Sequence, residues 1–336
     1  MKIAINGFGR IGRNFFRCVL QDAHVKKQLN VVAINIGPAN PAFTAHMFKY
    51  DTLMGTYPGE VRMEGNELII DEHRIQIVAH KDPATLDWKA YSIDWVVEAS
   101  GHFTHRDDAI KHIKAGANYV LITAPAHDED VVIIPGVNQQ LFDARKHHIV
   151  SLGSCTTNAF IPMLRVMHDA FTIVQGYMTT VHAYTNTQVL LDVETDDLRR
   201  SRAAALNIIP TSTGATSMLN KLLPELAGKI PATSIRVPVA KVSLIDLTLC
   251  TQRELTVDAM HAAFKNAIKG SMAGIIGLTM QPLVSSDFSG TPYSVVIDGL
   301  LTHAQGKVGK LFGWYDNEWG YSQRLKDFLY CVACTK

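Results

Sequence analysis

Gly7, Gly9 and Gly12 follow directly on the apolar run that opens the chain, in the spacing G-x-G-x-x-G within "NGFGRIGR". The run "KIAING" reads as a strand, and Ile11 to Leu20 reads as a helix. Three glycines at a strand-to-helix turn leave few folds open. They permit a tight turn and close approach of the backbone, and the helix N-terminus turns free N–H groups toward an anion such as a pyrophosphate. A plain strand–helix turn carrying three glycines would look the same locally, so the surrounding pattern has to separate the two.

That pattern repeats the unit. "NVVAIN", "DWVVEAS" (Asp94–Ser100), "NYVLIT" (Asn118–Thr123) and "HHIVSL" (His147–Leu152) are runs rich in Val and Ile, separated by helical patterns. Continuous apolar strands of this kind belong to a parallel sheet covered on both faces. The first half is therefore expected to be α/β, a Rossmann-type doubly wound parallel sheet. "EVRMEGNELIID" (Glu60–Asp71) interrupts it as a hairpin around a Gly-Asn turn. After about Gly153 the texture changes. "VPVAKVSLIDLTLC" (Val237–Cys250) alternates as an antiparallel strand does, and helical patterns cover 158–170, 214–223, 257–269 and 318–333. This half is expected to be an α+β domain with a mixed or antiparallel sheet.

Composition removes several function classes. A formal net charge of +1 leaves no basic excess to neutralise phosphates, so no nucleic-acid partner is expected. No apolar run approaches the ~18 residues that a membrane span needs, and "MKIAING" enters a strand with no room for a leader. The five cysteines, Cys18, Cys155, Cys250, Cys331 and Cys334, are scattered and odd in number, which points to reduced thiols and a cytoplasmic protein. Cys331 and Cys334 have no visible ligand partners and read as positions on a helix face, so no metal site is expected.

In a dinucleotide-binding fold, an acid about 20 residues after the glycines bonds the ribose hydroxyl of NAD. Ile36 ends the second strand here instead, with neutral Asn35 and Asn40 beside it. No Arg or Lys lies between Lys27 and Lys49 to attract a 2′-phosphate, so the local sequence favours NAD over NADP.

"SLGSCTTNAF" puts Cys155 after a strand, at the start of a helix whose N-terminal field favours a thiolate that oxidises readily. A structural cysteine in a Ser/Thr-rich cap would look alike. His182, in the alternating stretch "MTTVHAYTNTQ", supplies the base that a thiolate nucleophile requires, although spacing does not give the distance between them. Ser154 and Thr156 flank the cysteine. Arg199, Arg200 and Arg202, then Thr211, Thr213 and Gly214, then Arg236, are further candidate anion receptors.

With "INGFGRIGR", "SCTTN", "HAYTNTQ", "DLRRSRAA", "PTSTGA", "RVP" and "WYDNEWGYS" in this order, the chain resembles phosphorylating glyceraldehyde-3-phosphate dehydrogenase over essentially its whole length. The resemblance implies a homotetramer. It divides each chain into a dinucleotide-binding domain (1–153 and 319–336) and a catalytic domain (154–318), with an S-loop near 183–204. It makes Cys155 the nucleophile that forms a hemithioacetal and then a thioester, and His182 the base. Inorganic phosphate then releases 1,3-bisphosphoglycerate. Asn6, Gly7, Gly9, Arg10, Ile11, Gly12, Asn35, Ser100, Thr123, Asn317 and Tyr321 fall at cofactor positions. Ser154, Thr156, Thr185, Arg200, Thr213, Gly214 and Arg236 fall at phosphate positions. Departures from the family pattern are Ile36 for the ribose-binding acid, Thr187 for an Asp, and "VET" (Val193–Thr195) in the S-loop. The rival readings are erythrose-4-phosphate dehydrogenase and a non-catalytic binding protein on the same scaffold.

Overall fold

A computed structural model describes residues 1–335 of the chain. Its contacts fall into two compact units. One comprises Met1–Ile133, Gln139–Gly153 and the chain from Ser322 onward; the other comprises Ile134–Asn138 and Ser154–Tyr321.

The first unit is built on a nine-stranded sheet. Its strands are β1 (Lys2–Asn6), β2 (Asn30–Asn35), β3 (Val61–Glu64), β4 (Glu67–Ile70), β5 (His73–Val78), β6 (Trp95–Glu98), β7 (Tyr119–Ile122), β8 (Val131–Val132) and β9 (Ile149–Ser151). Their order is β3-β4-β5-β2-β1-β6-β7-β9-β8. The pairs from β5 through β8 are parallel, and the expected hairpin adds β3 and β4 antiparallel at the edge. β2 and β5 lie on one side of β1, and β6 and β7 on the other. That reversal opens a crevice at the carboxyl ends of the central strands.

Both faces of the central parallel strands are covered, which is why those strands are largely apolar. Trp95 and Val96 are neighbours on β6 and so point to opposite faces. Val96 joins a core with Ala4, Ala33, Leu86, Trp88 and Ile93. Trp95 stacks on Tyr119 at 4.7 Å and meets Phe328 of the C-terminal helix edge-on at 5.8 Å. Each such fully buried side chain contributes on the order of 1.5–3 kcal/mol relative to exposure. The parallel, doubly wound reading of this half is borne out.

The second unit carries β10 (Ile173–Ala183), β11 (Ile209–Thr211), β12 (Ala232–Val237), β13 (Ser243–Thr251), β14 (Ile276–Thr279), β15 (Val295–Asp298), β16 (His303–Gln305) and β17 (Val308–Tyr315). The order is β11-β12-β10-β13-β17-β15-β14, with β16 beside β17. Two pairs, β10–β12 and β14–β15, are parallel, so the sheet is mixed. β13 alternates buried and half-buried residues along its whole length. The run expected to continue from Val237 to Cys250 is broken: β12 ends at Val237, and pairing resumes only at Ser243. Alternation in the sequence cannot register that five intervening residues leave the ladder.

A 17-residue helix, Cys155–Phe171, covers the sheet with Phe160, Ile161, Met163, Leu164 and Met167 buried. Its approach is close. A Cβ on Gly313 of β17 would stand 2.8 Å from the Met163 sulfur and 2.6 Å from Val295.

Candidate active site

Ser154 caps the Cys155–Phe171 helix, its Oγ accepting from Thr157 N at 3.1 Å. Cys155 is thereby the first helical residue, beside the unpaired N–H groups of the opening turn. The long strand β10 carries His182 near its end, and the imidazole Nε2 lies 3.6 Å from Cys155 Sγ. The structure therefore brings the two together. β12 runs parallel to β10 with Arg236 opposite His182, and this register sets the guanidinium against the imidazole. Arg236 Nη1 lies 2.6 Å from His182 Nδ1 and 3.0 Å from Ala183 O, while Ala183 O itself lies 2.6 Å from Nδ1. Arginine only donates, so Nδ1 either accepts from Arg236 or donates to Ala183 O, never both. The second tautomer leaves Nε2 free to take a proton.

Burial holds the His182 imidazolium down at about 3, with the Arg236 charge adding to the effect. The ring is therefore neutral at physiological pH, as a base must be. Burial pushes the Cys155 thiol up, against Arg236 and the Thr156 contacts, which favour the thiolate. Desolvation and these contacts therefore act on the thiol in opposite directions.

Tyr315 ties the two catalytic elements together, and sequence reasoning missed it. Its hydroxyl lies 3.0 Å from Thr156 Oγ1 on the helix and 2.7 Å from Thr180 Oγ1 on β10, and its ring meets His182 edge-on at 5.9 Å. Burial holds the phenol well above its ordinary range, so it stays a neutral hydrogen-bonding group. The available signal was a tyrosine closing an alternating strand inside "WYDNEW".

The other candidates of this unit have the following partners. Arg200 donates from Nε to Thr211 Oγ1 at 2.8 Å; burial, and to a lesser extent the Arg200 charge, lower the pKa of Arg236. Thr185 and Thr187 share a hydroxyl contact of 3.0 Å. Thr213 Oγ1 accepts from Ala215 N at 3.3 Å, and Gly214 caps the Ala215–Leu222 helix. Asn317 accepts from Ser243 Oγ at 3.2 Å, and Tyr321 is buried. Arg202 points elsewhere, paired with Asp192 at 2.6 Å.

In the first unit, a cavity of about 750 Å³ opens at the carboxyl ends of the parallel strands. Asn6, Gly7, Gly9, Asn35 and Ser100 line it; Arg10, Ile11, Gly12 and Thr123 do not. Arg10 is instead ion-paired with Asp51, and Thr123 N donates to Glu98 O. The glycines divide by role. Gly7 has φ +91°, and a Cβ there would stand 2.5 Å from Ser100 N; one on Gly12 would stand 2.3 Å from Gly7 O. A Cβ on Gly9 would meet no protein atom within 4 Å, and Gly9 faces the cavity. This is the cradle a dinucleotide's pyrophosphate requires, so the residues fit that cofactor.

Basic residues do stand near Ile36, contrary to the expectation from the local sequence. His80 and Lys81 line the same cavity as Ile36 and Gly37. β5 runs parallel to β2, pairing Asn35 with Val78, so the residues after β5 arrive beside the end of β2 from 45 positions away. A search along the second strand cannot see them. The one carboxylate in the lining, Asp82, is engaged in capping Ala84 N at 3.0 Å.

A dinucleotide-binding domain and a second domain that brings a cysteine to a histidine define the class of a nicotinamide-dependent oxidoreductase. Residues 1–106 match the model of the glyceraldehyde 3-phosphate dehydrogenase NAD binding domain, and residues 154–317 match that of its C-terminal domain. The chain is 46% identical over 335 residues to glyceraldehyde-3-phosphate dehydrogenase of Geobacillus stearothermophilus, covering 99% of this chain and 98% of that one. It is 47% identical to the protein of that name from Streptomyces coelicolor, with the same coverage. The chain belongs to the glyceraldehyde-3-phosphate dehydrogenase family.

Proposed function

We propose that the chain oxidises glyceraldehyde 3-phosphate with inorganic phosphate to 1,3-bisphosphoglycerate. The observation that carries this reading is the 3.6 Å approach of Cys155 Sγ to His182 Nε2 at a helix N-terminus, in a chain of this family. As Sγ attacks the aldehyde carbon, His182 Nε2 removes the thiol proton and passes it to the former carbonyl oxygen, giving a hemithioacetal. Nε2 next accepts the proton of the adduct's hydroxyl. The dinucleotide, when bound, supplies the hydride acceptor for that oxidation. The Cys155 N–H and the imidazole stabilise oxygen charge on the adduct. Attack by inorganic phosphate on the thioester carbon then breaks the C–S bond and returns the thiolate. Arg200 and Arg236 bind phosphate groups, with Ser154, Thr156, Thr185, Thr213 and Gly214 as hydroxyl and backbone donors. Arg236 turning from Nδ1 to a phosphate would free the imidazole for the base tautomer.

NAD and NADP both fit the adenosine end. Ile36 brings no carboxylate to repel a 2′-phosphate, and Lys81, in the same lining, offers it an ammonium. Leu190, Leu191, Leu198, Leu206 and Ile208 are each more than 70% exposed in and just after the S-loop. So much uncovered apolar surface supports contact with further copies of the chain, as in a homotetramer. A cytoplasmic location accords with five free cysteines and, among the described residues, no helix long and apolar enough to cross a membrane.

Initial rates at saturating aldehyde and phosphate, with NAD and NADP varied, test the reading. Turnover is expected with both dinucleotides, and glyceraldehyde 3-phosphate should far outpace erythrose 4-phosphate. In Lys81→Ala the KM for NADP should rise about tenfold, as for a lost charge-assisted hydrogen bond, while that for NAD changes less than about twofold. Preference for the four-carbon aldehyde would overturn the substrate assignment. An equal effect on both dinucleotides would overturn the role of Lys81.

A further inference from the structure

Glu98 closes β6, an otherwise apolar strand, and is 2% exposed. Four donors converge on its carboxylate. Asn6 Nδ2 at 2.5 Å and His112 Nε2 at 3.0 Å reach Oε2; Ser100 N at 2.8 Å and Ser100 Oγ at 2.5 Å reach Oε1. His112 is fixed from behind, because Trp88 Nε1 donates to its Nδ1 at 3.0 Å and an indole can only donate. The imidazole proton therefore sits on Nε2, facing Glu98.

The order continues away from Glu98. With its NH₂ toward the carboxylate, Asn6 presents Oδ1 to Asn35 Nδ2 at 2.6 Å. Asn35 Oδ1 is then left to accept from Gly37 N at 3.2 Å and His80 N at 2.9 Å, while its Nδ2 also reaches His80 O at 2.9 Å. The chain of bonds crosses β6, β1, β2 and the end of β5. Asn6, Ser100, Asn35, Gly37 and His80 all line the dinucleotide cavity.

We infer that Glu98 is a positioning residue for the dinucleotide, setting through Asn6 and Asn35 the hydrogen-bond polarity of the whole cavity edge. The inference rests on the dinucleotide reading of the cavity. Both ends of the relay are donors that cannot reverse: the Trp88 indole at one end, the Gly37 and His80 backbone N–H groups at the other. Only an acceptor-only group at position 98 satisfies every bond between them. A glutamine there would keep its oxygen for Ser100 and turn its NH₂ on Asn6. Asn6 would have to flip, then Asn35, which would bring the Asn35 NH₂ against two backbone donors. The conflict ends at the cavity wall, beside Lys81.

Glu98→Gln is the test, with NAD binding to the dinucleotide-free protein followed by calorimetry and amide exchange followed at Gly37 and His80. The dissociation constant is expected to rise about tenfold or more, with kcat at saturating NAD within about twofold and exchange at both amides faster. Trp88→Phe, which loosens the far side of the same carboxylate, should leave the dissociation constant within about twofold. Unchanged binding and exchange in Glu98→Gln, or equal weakening in Trp88→Phe, would overturn the inference. Should Glu98→Gln not fold, Asn35→Ala must reproduce the weakened binding, and normal binding there overturns it. If the unsubstituted chain binds no NAD, the cofactor reading falls. The relay is then decided by exchange at the two amides alone.

Discussion

Cys155→Ser is expected to lose dehydrogenase turnover by roughly 10³-fold or more while the fold is retained. A serine hydroxyl keeps the size and most contacts of the thiol, but it is a far weaker nucleophile and no thioester can form on it. The Ser154 cap does not depend on the sulfur, since Ser154 Oγ takes Thr157 N. The melting temperature should therefore move by less than about 3 °C. Rates with glyceraldehyde 3-phosphate and inorganic phosphate, beside a thermal melt, measure both. Substantial turnover in the serine variant would end the proposed covalent route.

His182→Asn is the second large effect. Removing a general base costs roughly 10²–10⁴ in rate. The pH dependence carries more information than the loss itself. Without the imidazole, Cys155 must ionise unaided, and burial already pushes that thiol up from its ordinary value. A raised thiol pKa means the thiolate is lost as pH falls below it. Both residual turnover and alkylation of Cys155 by iodoacetamide should then climb about tenfold per pH unit up to about pH 9 without a plateau. An alkylation rate at neutral pH equal to that of the unsubstituted chain would mean that His182 does not serve Cys155.

The parts of the fold and site readable from sequence are those whose cause is local. The Gly7–Gly12 turn, the Val/Ile-rich strands and the start of the Cys155 helix each depend on a few consecutive residues. Cys155 and His182 could be singled out as a nucleophile and its base, but their 3.6 Å approach depends on where β10 lies relative to the helix. Arg236 came within reach of His182 only through the parallel register of β12 with β10. Lys81 was invisible for the same reason, arriving beside Ile36 through the pairing of β5 with β2. Glu98 did leave a trace, as the one acid in "WVVE", where nothing apolar explains it. The protonation of the thiol lay beyond local sequence, because helix field and desolvation act on it in opposite directions and the second depends on three-dimensional burial.

The glycine-rich turn mixes two kinds of necessity. Gly7 and Gly12 are demanded by the protein's own backbone, so drift at either position is punished at folding, whatever the cell's metabolism. Gly9 has open space where its side chain would be, and the polypeptide gains nothing from keeping it bare. On the proposed reading of the cavity, its constraint comes from outside the chain, from a molecule that would lie against it. Were that ligand to pass out of use in some lineage, Gly9 would be free to change while its two neighbours stayed fixed.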